Sequence, residues 1–145
     1  MSAWVVDASV VVKWLVPEEH SEEAILLRSP RLTLHAPELV LPEVGNVLWK
    51  KARRGEMSGA EAEAAAHLLI EAPLILHSHL PLAAIAVKLA SEFDRSVYDS
   101  TYLALAAALE TRVITADGRL YRALAGTPLR TLLHWVGDLE DMTRD

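Results

Sequence analysis

Short β-branched apolar runs alternate along this chain with longer segments of helical periodicity, and that alternation limits the possible folds more than any other feature. Ala3–Val6 is short and apolar, as expected of a strand covered on both faces, and Asp7 ends it before a helix over Ser9–Val16 that Pro17 closes. A second helix is predicted over Ser21–Arg28, with Glu22 and Glu23 in its first turn, and a second strand over Leu32–His35. From Pro37 to Arg54 the residues Leu41, Val44, Leu48 and Ala52 share one helical face, Gly55 is placed as a stop, and Pro42 marks a kink or a late start. Ser58 and Glu61 have capping-box spacing, opening an alanine-rich helix that stops near Pro73, and Leu74–His77 follows as a strand. Pro81–Phe93 and Tyr98–Glu110 read as two helices, both largely buried. Arg112–Thr115 is a strand, Ala116–Gly118 a turn, Arg119–Ala125 a short helix and Thr131–Trp135 a last strand. Repeated β-then-α order implies an α/β fold with a mostly parallel sheet between helices, and 145 residues suit one domain spanning 1–145.

Composition removes several chemistries. With no cysteine, disulfides, thiolate metal sites and cysteine nucleophiles are excluded, and a reducing compartment is consistent. The longest apolar run, Tyr102–Leu109, is far short of the roughly 20 residues that span a bilayer, so no membrane span is expected. The opening residues have no basic leader and carry Asp7 and Lys13 inside their apolar stretch, which predicts a cytoplasmic protein. The formal charge of -6 gives no global attraction to nucleic acid, so any such binding must come from local basic patches or bound metal.

In an open parallel sheet, ligands bind beyond the carboxyl ends of the strands. Four acids fall there: Asp7 after the first strand, Glu43 near the start of the following long helix, Asp99 in the first turn of the helix from Tyr98, and Asp117 just past the strand ending at Thr115. Singly, each also suits an ordinary helix cap or turn. Jointly they predict a cation site, because gathered carboxylates repel and hard ions such as Mg²⁺ or Mn²⁺ take carboxylate oxygens. Such a site suits phosphodiester hydrolysis. His77 and His79 have strand spacing without an obvious third zinc ligand, and His20, His35, His67 and His134 stand singly. Asp94, at a helix end, reads as a solvated loop residue.

The wording around these acids is more specific than their spacing. VVDASVVVKWLVPE, APELVLPEVGNVLWK, VYDSTYLALA and VITADGRLYRAL occur in that order, and with them the chain resembles PIN-domain ribonucleases, specifically the VapC toxins of toxin–antitoxin pairs, over nearly its whole length. The resemblance implies a three-layer α/β/α sandwich and an Mg²⁺- or Mn²⁺-dependent endoribonuclease giving 5′-phosphate products, with Asp7, Glu43, Asp99 and Asp117 as the metal-binding catalytic quartet. Ser9 and Thr115 match positions beside the metal site, and Asn46, three residues after Glu43, supports it. Pro42 directly before Glu43 departs from the pattern. The resemblance also implies homodimers and a VapB-like antitoxin whose segment covers the groove; Trp14, Trp49 and Leu26 could receive it, although core packing is the simpler reading of each. Lys50, Lys51, Arg53 and Arg54, and then Arg119 and Arg122, could hold RNA phosphates, or could be a solvated helix end and surface charge.

Three alternatives remain on residues alone. An aspartyl-phosphate phosphatase would use Asp7 as nucleophile but wants a second acid where Ser9 stands. A receiver domain wants paired acids after the first strand and a late lysine, and no lysine follows Lys88. A PIN-like module retained for binding alone is opposed by the intact quartet.

Overall fold

The computed structural model describes residues 2–141, so the ends of the expected 1–145 unit lie outside the described residues. The elements follow the order β1 (Ser2–Val6), α1 (Ala8–Leu15), α2 (Ser21–Leu26), β2 (Leu32–Pro37), α3 (Val40–Arg53), α4 (Gly59–Ile70), β3 (Ile75–His77), α5 (Ala83–Phe93), α6 (Val97–Ala108), β4 (Val113–Thr115), α7 (Gly118–Ala123) and β5 (Leu133–Trp135). The strands form one parallel sheet in the order β3-β2-β1-β4-β5.

Side chains alternate across that sheet as the pleat requires. Val6, Leu34, Ala36 and Ile114 pack with buried residues of α1 to α4 on one face, whereas Val5, Val113 and Leu133 pack with α6 and α7 on the other. Helices on both faces explain why the strands read as continuous apolar runs. The chain moves outward from β1 to β3 with helices on the first face, then crosses back over the second to place β4 beside β1. The reversal opens a crevice at the carboxyl ends of β1 and β4.

Several expectations shift. β2 continues through Pro37, which pairs with His77, and α3 starts at Val40 rather than Pro37. Pro42 is the third residue of α3, where an amide has no partner within the helix; the first such bond runs from Glu43 N–H to the Leu39 carbonyl, 3.1 Å. Pro42 therefore sits in the first turn, whose start is late rather than kinked. The capping box forms as predicted, Ser58 and Glu61 exchanging bonds of 3.0 Å each. Before β5, Pro128–Leu132 coils into a 3₁₀ turn, so that strand begins at Leu133 rather than Thr131.

One expectation fails. α6 is buried from Ser100 to Ala106, but α5 buries Ala86 alone and leaves Ile85 47% and Val87 54% exposed. α6 takes the place against the sheet, and α5 packs on α6 from outside. Periodicity shows that a helix is apolar; which layer it joins is settled by its neighbours.

Candidate functional site

Asp7 is the residue at which β1 becomes α1. Its backbone occupies the N-cap position of α1, yet its side chain makes no capping bond. Instead the Ser9 and Thr115 hydroxyls both donate to Asp7 Oδ2, at 2.8 and 2.9 Å. Each hydroxyl is oriented in turn by a backbone amide that donates to it, Ala116 N–H to Ser9 and Asp117 N–H to Thr115, both 3.0 Å. Thr115 is fully buried. The loop after β4 thereby fixes one oxygen of Asp7 and leaves Oδ1 without a donor among the described residues.

The other three acids come from helix starts. Asp99 lies in the first turn of α6, whose N-cap is Ser96, and Glu43 in the first turn of α3. Asp117 caps α7, with Oδ1 accepting from Arg119 N–H at 3.0 Å and Leu120 N–H at 3.2 Å. The ordinary cap is thus real for Asp117 and absent for Asp7. Together with Ser9, Asn46, Val47, Pro42, Leu39 and Tyr98, all four acids line one open cleft of about 440 Å³ over the β1–β4 crevice.

Electrostatics ties them together. Burial pushes the Asp7 carboxyl up to about 6, with Glu43 and Asp99 adding to the rise and the bonds from Ser9 and Thr115 opposing it. Glu43 is raised by burial and then by Asp99; Asp99 is raised by burial and then by Asp117. Each of these three feels a further acid of the set, so they share one poorly screened space.

Sequence reading missed Tyr102. Its hydroxyl donates to Glu43 Oε1 at 2.7 Å, linking α6 to α3, and burial and nearby carboxylates raise its pKa so that it stays a donor. The available signal was Asp99 and Tyr102 three residues apart on one helical face. Asn46 lies in the cleft one turn beyond Glu43, and Asp94, as expected, is an exposed helix end.

Other residues depart from expectation. His35, read as isolated, meets His77 at 2.8 Å, and His79 Nε2 accepts the Leu39 N–H at 2.9 Å at the start of α3. Trp49 and Leu26 are not core, being 53% and 43% exposed, because they fall on outward faces of α3 and α2. Trp14 does pack inward, donating to the Ala24 carbonyl. Lys51 of the basic run is tied to Glu18 at 2.7 Å.

An all-oxygen set of four carboxylates suits a hard divalent cation such as Mg²⁺ or Mn²⁺. Among the described residues, no three His, Asp or Glu side chains are already arranged to hold one ion. Glu43 is engaged by Tyr102, and Asp117 by the α7 amides.

A parallel sheet between two helical layers, with a cleft of coupled carboxylates at its switch point, defines an α/β/α protein with an acidic site at the carboxyl ends of its strands. The PIN domain family model matches residues 4–125. Ribonuclease VapC3 of Pyrobaculum aerophilum is 39% identical over 118 residues, which is 80% of this chain and 90% of that protein. The chain belongs to the PIN-domain family, alongside the VapC proteins, and this sets aside the phosphatase and receiver readings. The crystal structure of PAE2754 from Pyrobaculum aerophilum superposes with a TM-score of 0.70 at 24% identity, covering 98% of this chain and 89% of that one. A toxin–antitoxin complex from Klebsiella pneumoniae gives a TM-score of 0.62 at 15% identity, covering 90% and 94%.

Proposed function

We propose that this chain is a metal-dependent endoribonuclease, the toxin of a VapBC-type pair, acting as a single domain over 1–145. The observation that carries the reading is the electrostatic coupling of Asp7, Glu43 and Asp99, with Asp117 beside Asp99, in one cleft at the sheet's switch point. The ribonuclease name of its VapC3 relative supports RNA as substrate.

The four carboxylates, Asp7, Glu43, Asp99 and Asp117, would hold Mg²⁺ or Mn²⁺. When bound, the ion supplies Lewis acidity, easing attack of water on the phosphorus and stabilising charge on the phosphoryl oxygens. Ser9 and Thr115 hold Asp7 in one rotamer, with Oδ1 facing no competing donor among the described residues. Tyr102 fixes Glu43 in the same way, and Asn46 offers a neutral amide to substrate or solvent at the cleft wall. Without such supports the carboxylates would relax apart, and pre-organisation would be lost.

A VapB-like antitoxin covers the groove, the chain works as a homodimer, and the cytoplasm is its compartment. No helix among the described residues is long and apolar enough to cross a membrane. The test is direct: antitoxin-free protein should cut RNA with Mg²⁺ or Mn²⁺ and stop in EDTA, and Asp99→Asn should be inactive while retaining its circular dichroism. Undiminished cutting by Asp99→Asn would reject the site. A binding-only module predicts neither cleavage nor millimolar Mn²⁺ binding by calorimetry.

A further inference from the structure

The helix that brings Glu43 and Asn46 to the cleft does not end there. Lys50, Arg53 and Arg54 follow at helical spacing on the side of α3 that carries Glu43 and Asn46, and Trp49 flanks them. At 1.5 Å per residue, this ledge begins about 10 Å from Glu43 and ends about 16 Å away. All four residues are exposed and line a shallow depression of about 360 Å³.

Two features set the ledge apart from an ordinary solvated helix end. The Arg53 guanidinium lies 5.4 Å from the centre of the Trp49 ring, so a broad aromatic face and a planar cation are already side by side. The cations are also unevenly engaged. Lys51 is bound to Glu18 and Arg54 reaches Glu56 at 3.7 Å, whereas Lys50 and Arg53 make no ion pair among the described residues. In a chain of charge -6 whose cleft is acidic, unpaired cations on the helix that enters the cleft supply the attraction a polyanion needs.

We infer that Trp49, Arg53 and Lys50 form a docking ledge for single-stranded RNA, on which a base outside the cleft stacks on Trp49 while Lys50 and Arg53 seat neighbouring phosphates. The inference rests on the ribonuclease reading and adds the path that the strand takes away from the acids. Unpaired bases stack on aromatic rings and guanidinium planes with little regard to sequence, and a flexible strand can follow one helix face. An acidic protein segment would match the charge but would not use the Trp49 ring beside the Arg53 plane as a stacking platform.

The test uses the full chain in EDTA, where binding is separated from cutting, with a fluorescein-labelled single-stranded RNA followed by anisotropy. Trp49→Ala should weaken binding about tenfold and Trp49→Phe should restore most of it. Lys50→Gln and Arg53→Gln should each lower the slope of log affinity against log salt by about 0.7, the value for one phosphate contact on a single strand. If wild type cuts RNA with Mg²⁺ and Trp49→Ala binds as tightly with an unchanged slope, the ledge is refuted and the nuclease stands. Failure of Phe to restore binding would refute stacking, and an effect confined to antitoxin binding would make the ledge a protein contact. A wild type that neither binds nor cuts RNA removes both proposals at once.

Discussion

Asp7 concentrates the conflict between stability and function at the residue scale. Its carboxyl, pushed up to about 6 against an ordinary 3.8, is held charged at neutral pH in a place that disfavours the charge. Asp7→Asn is therefore expected to abolish RNA cleavage, by a hundredfold or more on the order expected for lost metal ligands. It should also raise the stability of the metal-free protein at pH 7.5 by on the order of 1–3 kcal/mol, because a shift of about two units is removed. Chemical denaturation alongside an RNA cleavage assay checks both, and a destabilised variant would contradict the electrostatic account. Tyr102→Phe keeps the ring and deletes the donor to Glu43. It should cost about 1 kcal/mol of stability and lower Mn²⁺ affinity about tenfold, read by calorimetry. The four acids were legible in the sequence because each sits at an element boundary. Tyr102 was not, because its partner is 59 residues away and only packing of α6 against its neighbours brings them together.

Among the elements, α3 bears the most, with one buried stripe of Val40, Val44 and Leu48 and an exposed flank that enters the cleft. Leu48→Ala should destabilise by about 2–5 kcal/mol and impair cleavage with it, since the stripe sets the helix that aims Glu43. Ser58→Ala, by contrast, removes the capping box of α4, which contributes no residue to the cleft. It should cost about 1 kcal/mol and leave cleavage per folded molecule unchanged, measured by thermal melts and initial rates. The contrast distinguishes positioning from stability alone. Helix existence and the capping box could be read from local spacing, whereas the exposure of α5 and of Trp49 could not. Apolar residues on a helix look alike in sequence whether the partner is the sheet, another helix or solvent.

For the whole molecule, the proposed metal would compete with protons for one cleft. Asp7 binds its proton more tightly folded than unfolded, so its penalty is absent where both states are protonated, below about 3.8, and complete above about 6. Metal-free stability should accordingly gain a contribution as pH falls from 7.5 to 5, a slope that Asp7→Asn should reduce but not remove, because Glu43 and Asp99 are raised as well, when the two are compared by denaturant melts. Mn²⁺ affinity should move the opposite way, weakening by up to about tenfold per pH unit below 6 as a proton must be displaced. Calorimetry at pH 5, 6 and 7.5 would show it, and a flat profile would break the link between Asp7 and the ion. The amino-acid order alone determined the β–α alternation, the parallel sheet and the placing of four acids at element ends, because those follow from local periodicity and chain connectivity. Tertiary structure decided which hydroxyls hold Asp7, that Tyr102 grips Glu43, that His35 meets His77 and which apolar faces stay uncovered. These depend on through-space contacts between segments as many as 108 residues apart, which no local pattern encodes.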